Sequence, residues 1–316
     1  MLRNQIVKYY NLMSEFGLKI TIYELSLRLI GIIFGRNSKR WKKASKRKYD
    51  YIFTVFEEDF TEIIDKYKKR NEIPKVISND SPIWIFWAQG LEAAPEIVKQ
   101  CIKSINKYSG NHPVNILDLS NYETFVSLDD NIKNKYKKGI ISTPHFADII
   151  RFKLLSEHGG IWCDATIFFS KDLSELFLDD YSWFSIKHNI GTDYLACRGK
   201  WTTFFIASAN NNIISSFVCD VLCEYWKRYN FPIDYLFLDS IIYLAYMKFD
   251  EAKKQIEAIP VNNTNVFEAM LSFERMDDKN VVEGLIERNS ISKLTYKIKN
   301  GEEQTKLMKE VMSNYI

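Results

Sequence analysis

The chain has 316 residues, of which 46% are hydrophobic and 26% charged, the balance of a folded globular protein rather than a disordered or fibrous one. Its net charge is only +3 and it carries no recognisable DNA- or RNA-binding motif, so no nucleic acid is expected as a partner. Five cysteines (Cys101, Cys163, Cys197, Cys219, Cys223), an odd number without CxxC spacing, exclude a disulfide framework or a zinc site and point to the reducing cytoplasm.

Residues 1–75 read as helical, because Ile6, Tyr9, Tyr10 and Met13, then Ile22, Leu25, Leu29, Ile32 and Ile33, recur at helical spacing. This stretch holds 17 Lys/Arg against 9 Asp/Glu, and eight of the cations fall between Arg36 and Lys48 with no acid among them. An apolar stripe that runs into cations and a tryptophan, Trp41, has the composition of a segment lying on an anionic membrane surface. A helical bundle packed on the main domain, with a solvated basic loop, is the plain structural alternative. No signal peptide is expected at Met1–Asn4, and the apolar run 29–35 is far short of the roughly 20 residues a span requires. Residues 71–82, with Pro74 and Pro82, look like a linker into a second unit over 76–316.

In that unit strands and helices alternate. A strand Ile83–Trp87 precedes a helix Pro95–Tyr108, and a strand Val114–Leu117 precedes short helices over Asn121–Lys138. Thr143 is placed to cap a helix Pro144–His158, which Gly159-Gly160 should stop in left-handed conformation. A buried strand Ile161–Cys163 then delivers Asp164, and Thr166–Phe169 is extended. Further strands are expected at Tyr181–Ile186 and Thr202–Ser208, long helices at Ile213–Tyr229 and Ile233–Met247, an extended stretch at Ser290–Lys299 and a last helix to Asn314. The order predicts an α/β fold around a mostly parallel sheet.

The candidate chemistry collects at strand ends, where α/β sheets bind ligands. Asp148 and Arg151 stand three apart on one helix face. Asp164 follows a strand too apolar to lie at the surface, so its carboxylate needs a cation, a hydroxyl-rich ligand or backbone donors. Trp87 ends the first strand, where it can stack on a flat base while Gln89 reads the base's edge. His145 and His158 lack metal-ligand partners at usable spacing and read as packing or capping residues.

Ile83-Trp84-Ile85-Phe86-Trp87-Ala88-Gln89-Gly90, Ala94-Pro95, Phe146-Ala147-Asp148-Ile149-Ile150-Arg151 and Gly159-Gly160-Ile161-Trp162-Cys163-Asp164-Ala165-Thr166 together resemble the bacterial capsular-polysaccharide-synthesis glycosyltransferases, relatives of the DXD-motif family 32. The resemblance covers roughly residues 70–300. It implies a GT-A fold, Rossmann-like and mostly parallel with flanking helices, here with an N-terminal helical extension. It also implies retaining transfer of a hexose or N-acetylhexosamine from a UDP-sugar, and by its residues assigns Trp87 to the uracil, Asp148 and Arg151 to the sugar hydroxyls and Asp164 to the first acid of Asp-x-Asp. Thr166 stands where the second acid is expected and puts a bidentate Mn²⁺ or Mg²⁺ contact in doubt. Two later blocks are similar as well. Asp239 in Phe237-Leu238-Asp239-Ser240 reads either as orienting the sugar or acceptor or as a helix-surface acid. In Ser292-Lys293-Leu294-Thr295-Tyr296-Lys297, Lys293 would neutralise the diphosphate, Ser292 touch the metal and Thr295 the phosphate, unless the block is a plain basic-edged strand.

The expected protein is a capsule or exopolysaccharide glycosyltransferase, cytoplasmic and peripheral on the inner membrane face, acting on a lipid-linked oligosaccharide. A non-catalytic nucleotide-sugar-binding partner of a capsule assembly complex and a sugar-phosphate transferase are the alternatives.

Overall fold

A computed structural model describes residues 2–70, 74–188 and 193–316. Four helices open the chain: α1 (Leu2–Phe16), α2 (Leu18–Phe34), α3 (Lys39–Asp59) and α4 (Thr61–Lys68). The first three residues of the expected linker, 71–73, and Met1 of the expected signal-free start lie outside the described residues. Then follow β1 (Ile83–Phe86), α5 (Glu96–Tyr108), β2 (Val114–Leu117), α6 (Asp130–Lys137), α7 (Thr143–Glu157), β3 (Gly160–Cys163), β4 (Ile167–Phe169), β5 (Trp183–Ser185) and β6 (Phe205–Ser208). The C-terminal part is helical apart from one strand: α8 (Ile213–Arg228), α9 (Phe237–Lys248), α10 (Asp250–Ala258), α11 (Glu268–Arg275), α12 (Lys279–Glu287), β7 (Ile291–Lys293) and α13 (Gly301–Met312).

The main sheet has the order β2-β1-β3-β6-β5. β1 runs parallel to both β2 and β3, while β6 is antiparallel to β3 and to β5. Four strands therefore point one way and only β6 is reversed, which is the mostly parallel, helix-flanked α/β sheet that the alternation predicts. β1, β3 and β6 are buried along their whole length, as continuous apolar strands under helices must be. Helix α7 crosses β1, β3 and β6, and α8 packs behind it.

A second, two-stranded sheet pairs β4 antiparallel with β7. Its own apolar cluster, with Ile97, Cys101, Phe168, Phe273, Ile286, Leu294 and Met308, ties β4 and β7 to α5, α11, α12 and α13. The extended stretch expected at Ser290–Lys299 is thus a three-residue strand; its remainder is loop until α13.

The N-terminal helices divide. Tyr49, Ile52 and Phe56 of α3, Phe60 at the junction, and Ile64 and Tyr67 of α4 belong to the same core as the main sheet, with α3 against α9 and α4 against α8. The α1–α2 hairpin instead leaves Ile6, Tyr10, Leu18, Ile22, Leu29, Ile32 and Ile33 exposed. The basic cluster is not all solvated: Lys48 is buried, with its Nζ donating to Asp234 Oδ2 at 2.6 Å and Glu24 Oε2 at 3.2 Å. Among the described residues no helix is long and apolar enough to cross a membrane.

Candidate active site

The site grows out of the turn between α7 and β3. Gly159 and Gly160 sit at φ +69° and +105°, left-handed as the sequence predicts. Space is the second requirement: a Cβ on Gly160 would lie 2.4 Å from the Pro82 carbonyl oxygen, and one on Gly159 2.6 Å from the Asn210 nitrogen. The close approach lets β3 slot between β1 and β6, in register Ile161 with Ile83 and Cys163 with Phe205. The Asp164 N–H still donates to the Phe204 carbonyl (2.9 Å), and a turn closed by Ile167 N–H onto the Asp164 carbonyl (2.9 Å) begins there. Asp164 is thereby held at the carboxyl end of the sheet. β1 has β2 on one side and β3 on the other, so Trp87 and Asp164 mark a topological switch point, where open α/β sheets form a crevice.

The crevice is a cleft of about 520 Å³, the size of a small-molecule site. Asp148, Arg151, Asp164, Thr166, Trp87, Asp239, Lys293 and Thr295, all anticipated from the sequence, line it. Arg151 is their hub. Its Nη1 donates to Asp148 Oδ1 (2.8 Å) and its Nη2 to Asp164 Oδ1 (3.2 Å), while its Nε, buried, has no partner. The i,i+3 pair on α7 is therefore no surface ion pair: the Arg151 side chain is 7% exposed. Lys293 closes the other side, its Nζ donating to Asp164 Oδ2 (2.8 Å) and Thr166 Oγ1 (2.7 Å). The pairing of Ile167 with Lys293 across β4 and β7, and the Leu294 N–H donating to the Thr166 carbonyl (2.9 Å), fix that lysine through the backbone.

These contacts separate the three acids. Burial pushes Asp164 up, but Lys293, then Arg151, outweigh it and hold the carboxyl below its ordinary range. Asp148 is pushed up to about 7 by burial and by Asp164 and Asp239, against the pull of Arg151. Asp239, at the start of α9, is pushed up to about 6 by burial although Trp201 Nε1 donates to its Oδ1 at 2.8 Å. It faces the cleft rather than bulk solvent, which removes the reading of a helix-surface acid.

Trp87 is half-buried and its indole N–H has no partner; Tyr296 meets the ring edge-on, with centroids 5.3 Å apart. Trp84, by contrast, is a core residue whose Nε1 donates to the Gly159 carbonyl (2.8 Å). Two anticipated residues fall elsewhere. Gln89 is exposed outside the cleft, because β1 ends at Phe86 and the chain turns through Gly90. Ser292 is 1% exposed, with an unpartnered Oγ, and is not among the lining residues, since alternation along β7 turns it away from Lys293's side. Ser142, not Thr143, occupies the cap position of α7, and its Oγ lies 3.1 Å from His145 Nδ1. His145 Nε2 lies 3.3 Å from the Tyr235 carbonyl and the residue, though buried, lines the cleft, a position that the sequence did not announce. His158 is the exposed C-cap residue of α7, with Nε2 2.7 Å from the Phe125 carbonyl.

The structure adds residues that sequence reasoning missed. Trp162 donates from Nε1 to Asp164 Oδ1 (3.0 Å), and the Arg151 guanidinium lies 4.7 Å over its ring. Its position two residues before Asp164, hence on the same strand face, was the available signal. Trp201 and Tyr235 carried none.

A divalent cation does not fit this donor set. Both Asp164 oxygens are engaged by cationic or N–H donors, Thr166 accepts from the same ammonium, and Ser292 lies away from the cleft. Among the described residues no three His, Cys, Asp or Glu side chains gather to hold a metal.

No curated protein matches the chain. One solved structure, titled "PaToxG Glycosyltransferase", is similar at 16% identity and a TM-score of 0.40, over 71% of this chain and 90% of that one. The family of the description "Capsular polysaccharide synthesis protein" matches residues 33–315, from the end of α2 to the last residue but one. That span takes in the cleft and every side chain that lines it, so the chain belongs to the capsular polysaccharide synthesis protein family.

Proposed function

We propose that the protein is a retaining glycosyltransferase that moves a hexose or N-acetylhexosamine from a UDP-sugar to a lipid-linked oligosaccharide in capsule or exopolysaccharide synthesis. The observation that carries the reading is the convergence of Asp148, Arg151, Asp164 and Lys293 beside an unpartnered indole at the carboxyl ends of β1 and β3. Kinship with glycosyltransferase family 32 rests on the motif likeness alone.

In this reading uracil stacks on the half-buried Trp87 ring, which lines the cleft. Arg151 and Asp148 hold the sugar hydroxyls in place for attack. The bond from C1 to the diphosphate oxygen breaks with its electron pair passing to the phosphate. The acceptor hydroxyl oxygen bonds C1 from the same face, and its proton passes to the departing phosphate. Lys293 stabilises the growing negative charge in a partly enclosed cleft, where such stabilisation is worth several kcal/mol.

The exposed apolar face of α1 and α2 supports an orientation on an anionic lipid surface. Lys39, Arg40, Lys43, Lys46 and Arg47 are exposed on the helix that follows it.

A thermal-shift panel of UDP-hexoses and UDP-N-acetylhexosamines, followed by analysis of the released nucleotide, tests the reading. A specific donor raises the melting temperature and turnover releases UDP. Release of UMP would instead identify a sugar-phosphate transferase, and binding without turnover in the presence of acceptor a non-catalytic partner.

A further inference from the structure

Resting on that nucleotide-sugar reading, we propose that the Lys293 ammonium stands in for the divalent cation of a diphosphate site, so that the cleft engages a nucleoside diphosphate without metal. Two of the three side chains expected to ligate a cation, Asp164 and Thr166, converge on one point, and Lys293 Nζ occupies it, 2.8 and 2.7 Å from their oxygens; the third, Ser292, is not among the lining residues. Asp164's other oxygen is held by Arg151 and Trp162, so a metal would have to displace the lysine to gain even a monodentate carboxylate.

Lys293 is not a flexible surface lysine that happens to fall there. Its N–H donates to the Val266 carbonyl (2.7 Å), the next residue's to Thr166, and Leu294 is buried in the second apolar cluster. The side chain is 18% exposed and lines the cleft. An ammonium has three N–H bonds, and two are used on Asp164 and Thr166, which leaves one for a ligand. Charge runs the same way. Three cations, Arg151, Lys293 and Lys297, line the cleft, with Asp148 paired to Arg151 and Asp164 paired to both Arg151 and Lys293. Such a cleft is receptive to a diphosphate as it stands.

The test is calorimetric binding of UDP and of uridine to the full chain and to Lys293→Ala, each in EDTA and in excess MnCl₂. Wild-type affinity for UDP should agree within about twofold between the two buffers. Loss of a charge-assisted hydrogen bond should weaken UDP binding by Lys293→Ala about 10- to 100-fold in EDTA, with uridine binding unchanged. Mn²⁺ should restore part of that loss, because Asp164 and Thr166 are then released to a metal. Wild-type UDP affinity that rises more than about tenfold with Mn²⁺ overturns the inference and leaves the nucleotide-sugar reading standing. So does a variant that binds UDP as tightly as the wild type, or one that loses uridine in equal measure. Absence of wild-type UDP binding in both buffers overturns the nucleotide-sugar reading itself.

Discussion

The α7–β3 corner and the α1–α2 hairpin break the same rule of folding in opposite directions. At the corner, charged side chains are turned inward: Arg151 is 7% exposed and bound between two carboxylates. On the hairpin, apolar side chains are turned outward: Ile32 is 71% exposed and Ile33 66%. Buried polar groups and contiguous exposed apolar faces are the informative exceptions in a globular protein. Under the proposed function the first exception meets an anionic, hydroxyl-rich ligand and the second a hydrocarbon surface. Between them runs Lys48, buried between Glu24 of α2 and Asp234, just ahead of the cleft residues Tyr235 and Asp239. The hairpin is thus wired to the cleft's rim, and deletion of residues 1–48 would damage the core that it shares with α3.

The comparison breaks first at its most charged member. Arg151→Met should lower transfer by about 10³-fold, since it removes both positioning and charge. It should also destabilise the fold by about 3–5 kcal/mol, because Asp148 and Asp164 lose a buried partner. Paired kinetics and urea melts check both. Next comes Gly160→Ala, expected to cost about 3 kcal/mol or more, as the added Cβ meets the Pro82 backbone oxygen in a left-handed conformation. A melting temperature unchanged in that variant would contradict the account of the corner.

The acids give a pH signature. Asp148 and Asp239 take up protons on folding, with ordinary values of 3.8 raised to about 7 and about 6. Their contribution to stability is therefore greatest below pH 4 and is lost as pH rises towards 7. Asp164, held low, contributes in the opposite sense, with stability present above pH 4 and lost in acid. Asp148→Asn should flatten the fall between pH 4 and 7 in a stability-versus-pH series. The smallest effect belongs to the other region. Ile32→Glu with Ile33→Glu should abolish flotation with anionic vesicles and leave UDP binding within about twofold, whereas Lys39, Lys43 and Lys46 to Glu should weaken flotation by about 1 kcal/mol per charge.

How far the sequence reveals all this depends on how local each determinant is. The proline at the start of α7, the glycine pair and the Asp148/Arg151 spacing lie within one supersecondary unit, and the structure has them as read. Gln89 and Ser292 went astray because a strand end one residue early, or a single step of alternation, turns a side chain to the other side. Trp201 reaches Asp239 from 38 residues away, and no local pattern announces such a contact. Helices α10 and α11 carry only one four-spaced apolar pair each (Ala252/Ile256, Ala269/Phe273), too little periodicity to separate from loop, whereas α12 carries two (Val281/Leu285, Val282/Ile286), a helical period confined to a short segment. Lys293 needed the resemblance: its place over Asp164 comes from the register of β4 with β7, set by a second apolar cluster far along the chain.

The most direct measurement is UDP release from a panel of UDP-sugars by the wild type and by Asp164→Ala, with folding of both verified by circular dichroism. The account predicts turnover of at least one donor by the wild type and a fall of about 10³-fold in a folded variant. Equal turnover by the two proteins would contradict it, for the carboxylate beyond the two glycines would then have no part in the chemistry.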